Sequence, residues 1–122
     1  MNDLEALQGT WKQVGYERDG DKQPTDELNW NPCVTFMGNS FTVTLANGSI
    51  PIRGNFKLDP AQTPKTMEFT DTYGDDAGRT FLAIYSLDVD RFMFCASEPG
   101  LDRPTEFSTT LGQVLRINVR QK

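Results

Sequence analysis

The 122-residue chain predicts an all-β protein, an up-and-down antiparallel barrel of about eight strands preceded by a short helical turn. Three observations carry this. Runs with a two-residue hydrophobic period recur along the whole length, separated by glycine, proline, asparagine and aspartate turns. No connection is long enough to hold the helix that a parallel crossover needs. The first and last strands are both long and patterned, so pairing them removes two exposed edges. A two-sheet sandwich is the rival architecture.

Taken in order, Asp3 to Gln8 forms a helical turn with Leu4 and Leu7 on one side. Gly9 to Arg18 is a strand whose alternation breaks near Gly15, where a bulge would bend it around a barrel, and Asp19-Gly20-Asp21 ends it. Lys22 to Pro32 is a polar connection with one apolar pair, Leu28 and Trp30, placed to fold back over the open mouth. Val34 to Met37 and Phe41 to Ala46 make a hairpin that buries Phe41, Val43 and Leu45, and Asn47-Gly48 supplies a two-residue turn. Ile50, Ile52, Gly54, Phe56 and Leu58 then face the core in the cleanest strand, with Pro51 marking a strand end or irregularity. Thr66 to Asp71 directs Met67 and Phe69 inward. Thr80 to Leu87 and Arg91 to Ala96 form a hairpin that is apolar on both faces. After the irregular run Ser97 to Gly112, a last strand from Gln113 to Arg120 alternates Leu115, Ile117 and Val119 with Arg116, Asn118 and Arg120.

The two-faced hairpin raises a question of cover. If Phe81, Tyr85, Phe92 and Phe94 point inward, Leu82, Ile84 and Met93 form an outer apolar patch of the kind that marks a contact surface. Two covers are expected for it: the N-terminal turn, or the same face of a second copy in a two-fold dimer. The chain is thus a monomer or a homodimer.

Composition removes several function classes. Seventeen acidic against twelve basic residues give a formal charge of -5, which opposes nucleic acid and anionic membrane. No apolar run approaches the roughly 20 residues of a membrane span. With no histidine, Ser-His-Asp and Cys-His catalysis, HExxH zinc sites and His-ligated haem are out. Two cysteines, Cys33 and Cys95, are too few for a structural zinc, and their separation along the meander favours free thiols over a bridge. Neither a P-loop nor a GxGxxG occurs, and Asp71, Asp75 and Asp76 lack the spacing of a calcium loop, so no metal or cofactor is expected. The N-terminus has no basic start and apolar stretch of a secretion signal. That makes the cytoplasm the default compartment, and a secreted or periplasmic chain whose signal had been removed would read the same way.

The residues Leu7-Gln8-Gly9-Thr10-Trp11-Lys12, Asp19-Gly20, Thr35-Phe36, Phe41-Thr42-Val43 and Gly54-Asn55-Phe56-Lys57-Leu58-Asp59-Pro60 resemble those of a lipocalin-like bacterial domain family of unknown function, best known from planctomycetes. Pro64-Lys65, Ile84-Tyr85-Ser86-Leu87, Cys95, Pro99-Gly100 and Arg103-Pro104-Thr105-Glu106-Phe107 extend the likeness to nearly the full length. The sequence departs from the family in lacking a secretion signal and in having Glu68 where aspartate is usual. What the resemblance implies is a lipocalin-like barrel, with Trp11 of the Gly-x-Trp opening plugging one end, and no established activity. A last-strand arginine, Arg116 or Arg120, is expected over the Trp11 face.

The functional expectation is a binding module that holds a small apolar or amphipathic ligand inside the barrel. Trp30 from the lid, Phe56 and Tyr85 from the strands, and Arg103 and Glu106 from the last loop are its candidate ligand-binding residues. The competing reading of the loop is structural: Pro104 fixes the backbone, Phe107 anchors, and the charges satisfy each other or nearby backbone. As a catalytic candidate, Tyr85 reads first as a core tyrosine with a satisfied hydroxyl and only then as an acid or oxyanion donor. A filled barrel acting as a protein-interaction module is the alternative function. A lipocalin-fold isomerase or lyase using Arg103, Glu106 and Tyr85 ranks third, on analogy of fold alone.

Overall fold

In the computed structural model, residues 2–23 and 32–121 are described, Lys22 and Gln23 by their backbone only. A single helical element, α1 (Asp3–Leu7), leads into β1 (Gly9–Arg18), β2 (Asp21–Gln23), β3 (Cys33–Met37), β4 (Ser40–Thr44) and β5 (Ile52–Asp59). The chain continues as β6 (Lys65–Tyr73), β7 (Thr80–Leu87), β8 (Arg91–Ser97) and β9 (Gln113–Arg120). Each of β3 to β9 pairs antiparallel with the next, and β9 returns to β1, so β1 and β3 to β9 close an eight-stranded barrel. The ten-residue β1 shares its other edge between β3, along Gly9 to Lys12, and β2, along Tyr16 to Arg18.

The expected bulge lies where β1 slips against β9 between Gln13 and Gly15. One extra residue there inverts the facing of all that follows. Trp11 and Gln13 point inward before it, and Tyr16 and Arg18 after it. Gly15 is left outside against Ile117, 3.1 Å from where a Cβ would stand.

Trp11 closes one end. It is fully buried, its Nε1 donates to the Leu7 carbonyl at 2.8 Å, and the Arg120 guanidinium lies 4.2 Å from its ring centroid. Arg120 also donates to the carbonyls of Val89, Gln8 and Ala6, tying the β7–β8 turn and α1 to the last strand. A five-residue helix has no stability of its own. α1 is held by an Asn2 cap on the Glu5 N–H, by buried Leu7, and by Asp3, whose Oδ2 accepts from Tyr85 at 2.7 Å and Lys65 at 3.0 Å.

The outer face of the two-faced hairpin is covered by neither expected element. Its cover is the irregular 98–112 segment, which lies over Ile84, Cys95 and Leu115 with Phe107 packed on them, while Cys95 Sγ donates to the Ser108 carbonyl. This face therefore gives no reason for a dimer, and the helical turn seals the closed end instead. Ser97 Oγ to the Asp102 carbonyl (2.6 Å) and Thr109 Oγ1 to Glu17 (2.6 Å) fasten the segment at both margins. Both cysteines are free.

One turn does more than expected and a second differs in kind. Asp19 and Gly20, with φ of 52° and 90°, end β1 at Arg18 as expected, and they also fold the chain back into the unexpected β2, the geometry of a two-residue hairpin turn. At Asn47-Gly48 only Gly48 has positive φ, at 87°. The Gly48 N–H reaches the Leu45 carbonyl and the Leu45 N–H reaches Ser49, which makes a three-residue loop with glycine at its left-handed position. Pro51 precedes β5, outside its ladder.

Candidate ligand cavity in the barrel

Alternation along each strand sends one set of side chains into the barrel, and toward the end opposite Trp11 these do not fill it. They leave a cavity of about 620 Å³, within the roughly 300–1,000 Å³ of small-molecule sites. Its apolar wall is aromatic. Phe36 meets Phe56 and Phe92 edge-on at 5.1 and 5.6 Å, and Phe69 meets Phe41 edge-on and stacks on Phe81 at 4.9 Å. Gly54 makes room for this wall. A Cβ there would stand 2.6 Å from Phe41 Cζ and closer still to the Thr70 carbonyl.

The wall formed by β1 and β9 is polar. Arg116, Asn118 and Val114 point inward, and Leu115 goes to the outer cluster under Phe107. Arg116 Nη1 donates to Gln13 Oε1 at 2.7 Å, and its guanidinium lies 4.5 Å from the Tyr16 ring centroid. Burial pushes the Arg116 pKa down; Tyr16 raises it and Arg18 lowers it further. Asn118, 3 % exposed, donates to the Phe92 carbonyl at 3.2 Å. Across the barrel on β6, Asp71 is 5 % exposed, faces the cavity and has an Oδ1 with no hydrogen-bond partner among the described residues. Burial, and then the charge of Asp76, push its carboxyl up to about 6. Arg18, Asp19, Asp75 and Arg79 stand at the mouth.

Of the five residues nominated from sequence, Phe56 lines the cavity. Trp30, with Leu28 and the lid reading of that connection, lies outside the described residues. Tyr85 is buried at the closed end, where its hydroxyl donates to Asp3; burial, then Asp3, hold its pKa far above the usual tyrosine value. Partial burial works to raise the Asp3 pKa, but the hydrogen bonds from Tyr85 and Lys65 outweigh it and the net shift is down. Arg103 and Glu106 do not meet. Arg103 Nη1 bridges the carbonyls of Met67 and Ala83 at 2.9 and 2.7 Å, Pro104 is buried, and exposed Glu106 accepts from Ser108 Oγ at 3.4 Å. Neither lines the cavity: their part of the 98–112 segment is the strap over the outer cluster, while the ends of the segment, at Glu98, Pro99 and Gly112, reach the cavity lining.

The sequence reading missed Gln13, Asp71, Arg116 and Asn118. On β9 the aliphatic set looks like the core face, and only the Phe107 segment, by covering that set from outside, reverses the assignment. The usable signal was the same two-faced pattern noticed in the neighbouring hairpin. Among the described residues no three of the cysteine, aspartate and glutamate side chains are grouped to hold a metal ion, and no helix is long and apolar enough to cross a membrane. Comparison of the chain with protein-family models and with curated proteins returned no match.

Proposed function

We propose that this protein is a small-molecule-binding module that holds an amphipathic ligand inside a lipocalin-like barrel. The observation that carries the reading is the open interior: about 620 Å³ bounded by phenylalanines on one side and by Gln13, Arg116 and Asn118 on the other. A filled barrel working only through its outer surface has no use for such a space, whose creation forgoes packing. The resemblance to the lipocalin-like bacterial domain family, which extends to nearly the full length, implies such a barrel and no established activity. Titration with the neutral fluorophore N-phenyl-1-naphthylamine tests it. The expected result is saturable, one-to-one fluorescence enhancement that is lost in Val114→Trp, which fills the lumen from β9, with the circular dichroism unchanged. Absence of saturable binding by the parent, or equal binding by a folded Val114→Trp, refutes it.

A further inference from the structure

The two inward arginines of β9 are four residues apart on one face, yet they are used differently. Arg120 has its guanidinium bonded to three backbone carbonyls and laid on Trp11, so its donors are consumed by the closed end. Arg116 stands higher in the lumen, with one side-chain hydrogen bond to Gln13 and the Tyr16 face beneath it. Among the described residues no carboxylate lies within 4 Å of it. A guanidinium carries five donors and does not give up its charge in proteins. Withdrawn from water, such a charge is costly unless an anion or several acceptors meet it. Gln13 offers only its oxygen to Arg116, which leaves the amide nitrogen on the same carbon as a second donor directed to the same region.

We propose that the amphipathic ligand of this barrel carries a carboxylate, which pairs with Arg116 beside the Gln13 amide while its apolar body lies against the aromatic wall. This rests on the binding function proposed above and adds the chemistry of the headgroup. A carboxylate matches the guanidinium fork in two parallel hydrogen bonds. Asp71 across the lumen is the competing anchor and would select a cation. Arg116 has the Gln13 amide beside it as a second donor for the same headgroup, and a decylammonium probe reads the Asp71 alternative directly. Tyr16 sits on one side of the charge, its ring centroid 4.5 Å from the guanidinium carbon, and a ring offers no acceptor oxygen to the remaining donors.

Three probes of one chain length separate the possibilities: decanoate, decanol and decylammonium, titrated into the parent protein at pH 7.5 by displacement of N-phenyl-1-naphthylamine. A charged hydrogen-bonded contact of this type corresponds to about tenfold or more in affinity. The expected order is decanoate at least about tenfold tighter than decanol, with decylammonium weakest. Arg116→Gln should bring decanoate to within about threefold of decanol, each displacement being referred to the variant's own fluorophore affinity, and Arg79→Gln at the mouth should preserve the preference. If the fluorophore binds but decanol equals decanoate, or decylammonium binds tightest, the carboxylate assignment falls and the binding function stands. If neither fluorophore nor any probe binds, both fall. The order in the parent decides the matter even if Arg116→Gln does not fold.

Discussion

Asp71 offers a stability test whose sign and pH window follow from its place in the wall. Its carboxyl is 5 % exposed, one oxygen has no partner among the described residues, and the pKa stands at about 6 against 3.8 for the free side chain. A carboxyl with a raised folded pKa binds its proton more tightly in the native state than in the unfolded one. Its ionisation therefore destabilises the fold as pH rises between those two values, and the penalty is complete above about pH 7. Two pKa units correspond to about 3 kcal/mol at full value, and screening at an open mouth reduces this to about 1–2 kcal/mol. Asp71→Asn keeps the shape and cannot ionise. Urea unfolding of parent and variant, followed by tryptophan emission at pH 4.5, 5.5, 6.5 and 7.5, gives the difference in stability. Titrating groups other than Asp76, whose charge acts on Asp71, cancel in that difference, and any cost of the new amide is a constant offset. Because about a third of the penalty is already present at pH 4.5, the variant should gain about 1 kcal/mol on the parent between pH 4.5 and 7.5. A difference that stays flat with pH, or moves against the variant as pH rises, would show that Asp71 is not the buried carboxyl described.

Two further predictions concern the closed end and the strap. Trp11→Ala removes a fully buried indole, its bond to Leu7 and the surface on which Arg120 rests, and should destabilise by about 3–5 kcal/mol in denaturant unfolding; a midpoint unchanged from the parent would contradict the plug. Phe107→Ala opens the cover over Cys95, whose thiol burial, then the Glu17 charge, push up to about 11. Native-state labelling by an aromatic disulfide reagent should then become several-fold faster at Cys95, with Cys33 as the internal reference, and equal rates would place the cover elsewhere.

How much of this could be read in the sequence depends on which side of the wall a residue serves. Strands with one wet face, such as the run from Ile52 to Leu58, state their orientation outright, because only one set is apolar. The barrel was legible for that reason; the Trp11 plug came from the resemblance of the Gly-x-Trp opening, which left Arg116 and Arg120 both open as its cover, and the structure places Arg120 there. Where both sets are apolar, as in β7 and β8, or where the inner set is polar, as in β9, periodicity fixes the alternation but not its sense. The sense comes from a tertiary contact, the return of Phe107 across Ile84, Cys95 and Leu115, made by a segment without regular structure. The β2 hairpin was hidden in another way. Asp19-Gly20 looks like a terminator, and Asp21–Gln23 has no apolar pattern to identify it as strand, since its pairing to Tyr16, Glu17 and Arg18 rests on backbone geometry.

The same strap bears on why the barrel can remain hollow. An eight-stranded barrel is of a size that its own side chains can fill, and each unfilled volume forgoes dispersion contacts that a packed core would have. Here the inner core is dense at the closed end, around Leu7, Trp11, Tyr85 and Phe92, and thins toward the mouth. The wall that carries Arg116 does not depend on the lumen for its packing. Its strands are clamped from behind, where Ile84 and Cys95 are almost wholly buried and Leu115 nearly so, and where Arg103 fixes the strap to the carbonyls of β6 and β7. Moving aliphatic burial to the outside of β7 to β9 leaves their inner face free to carry phenylalanines on two strands and polar groups on the third. The apolar outer face that looked like a docking surface is thus the physical condition for a polar inner one, and Arg103, nominated for binding, serves the cavity by holding its wall.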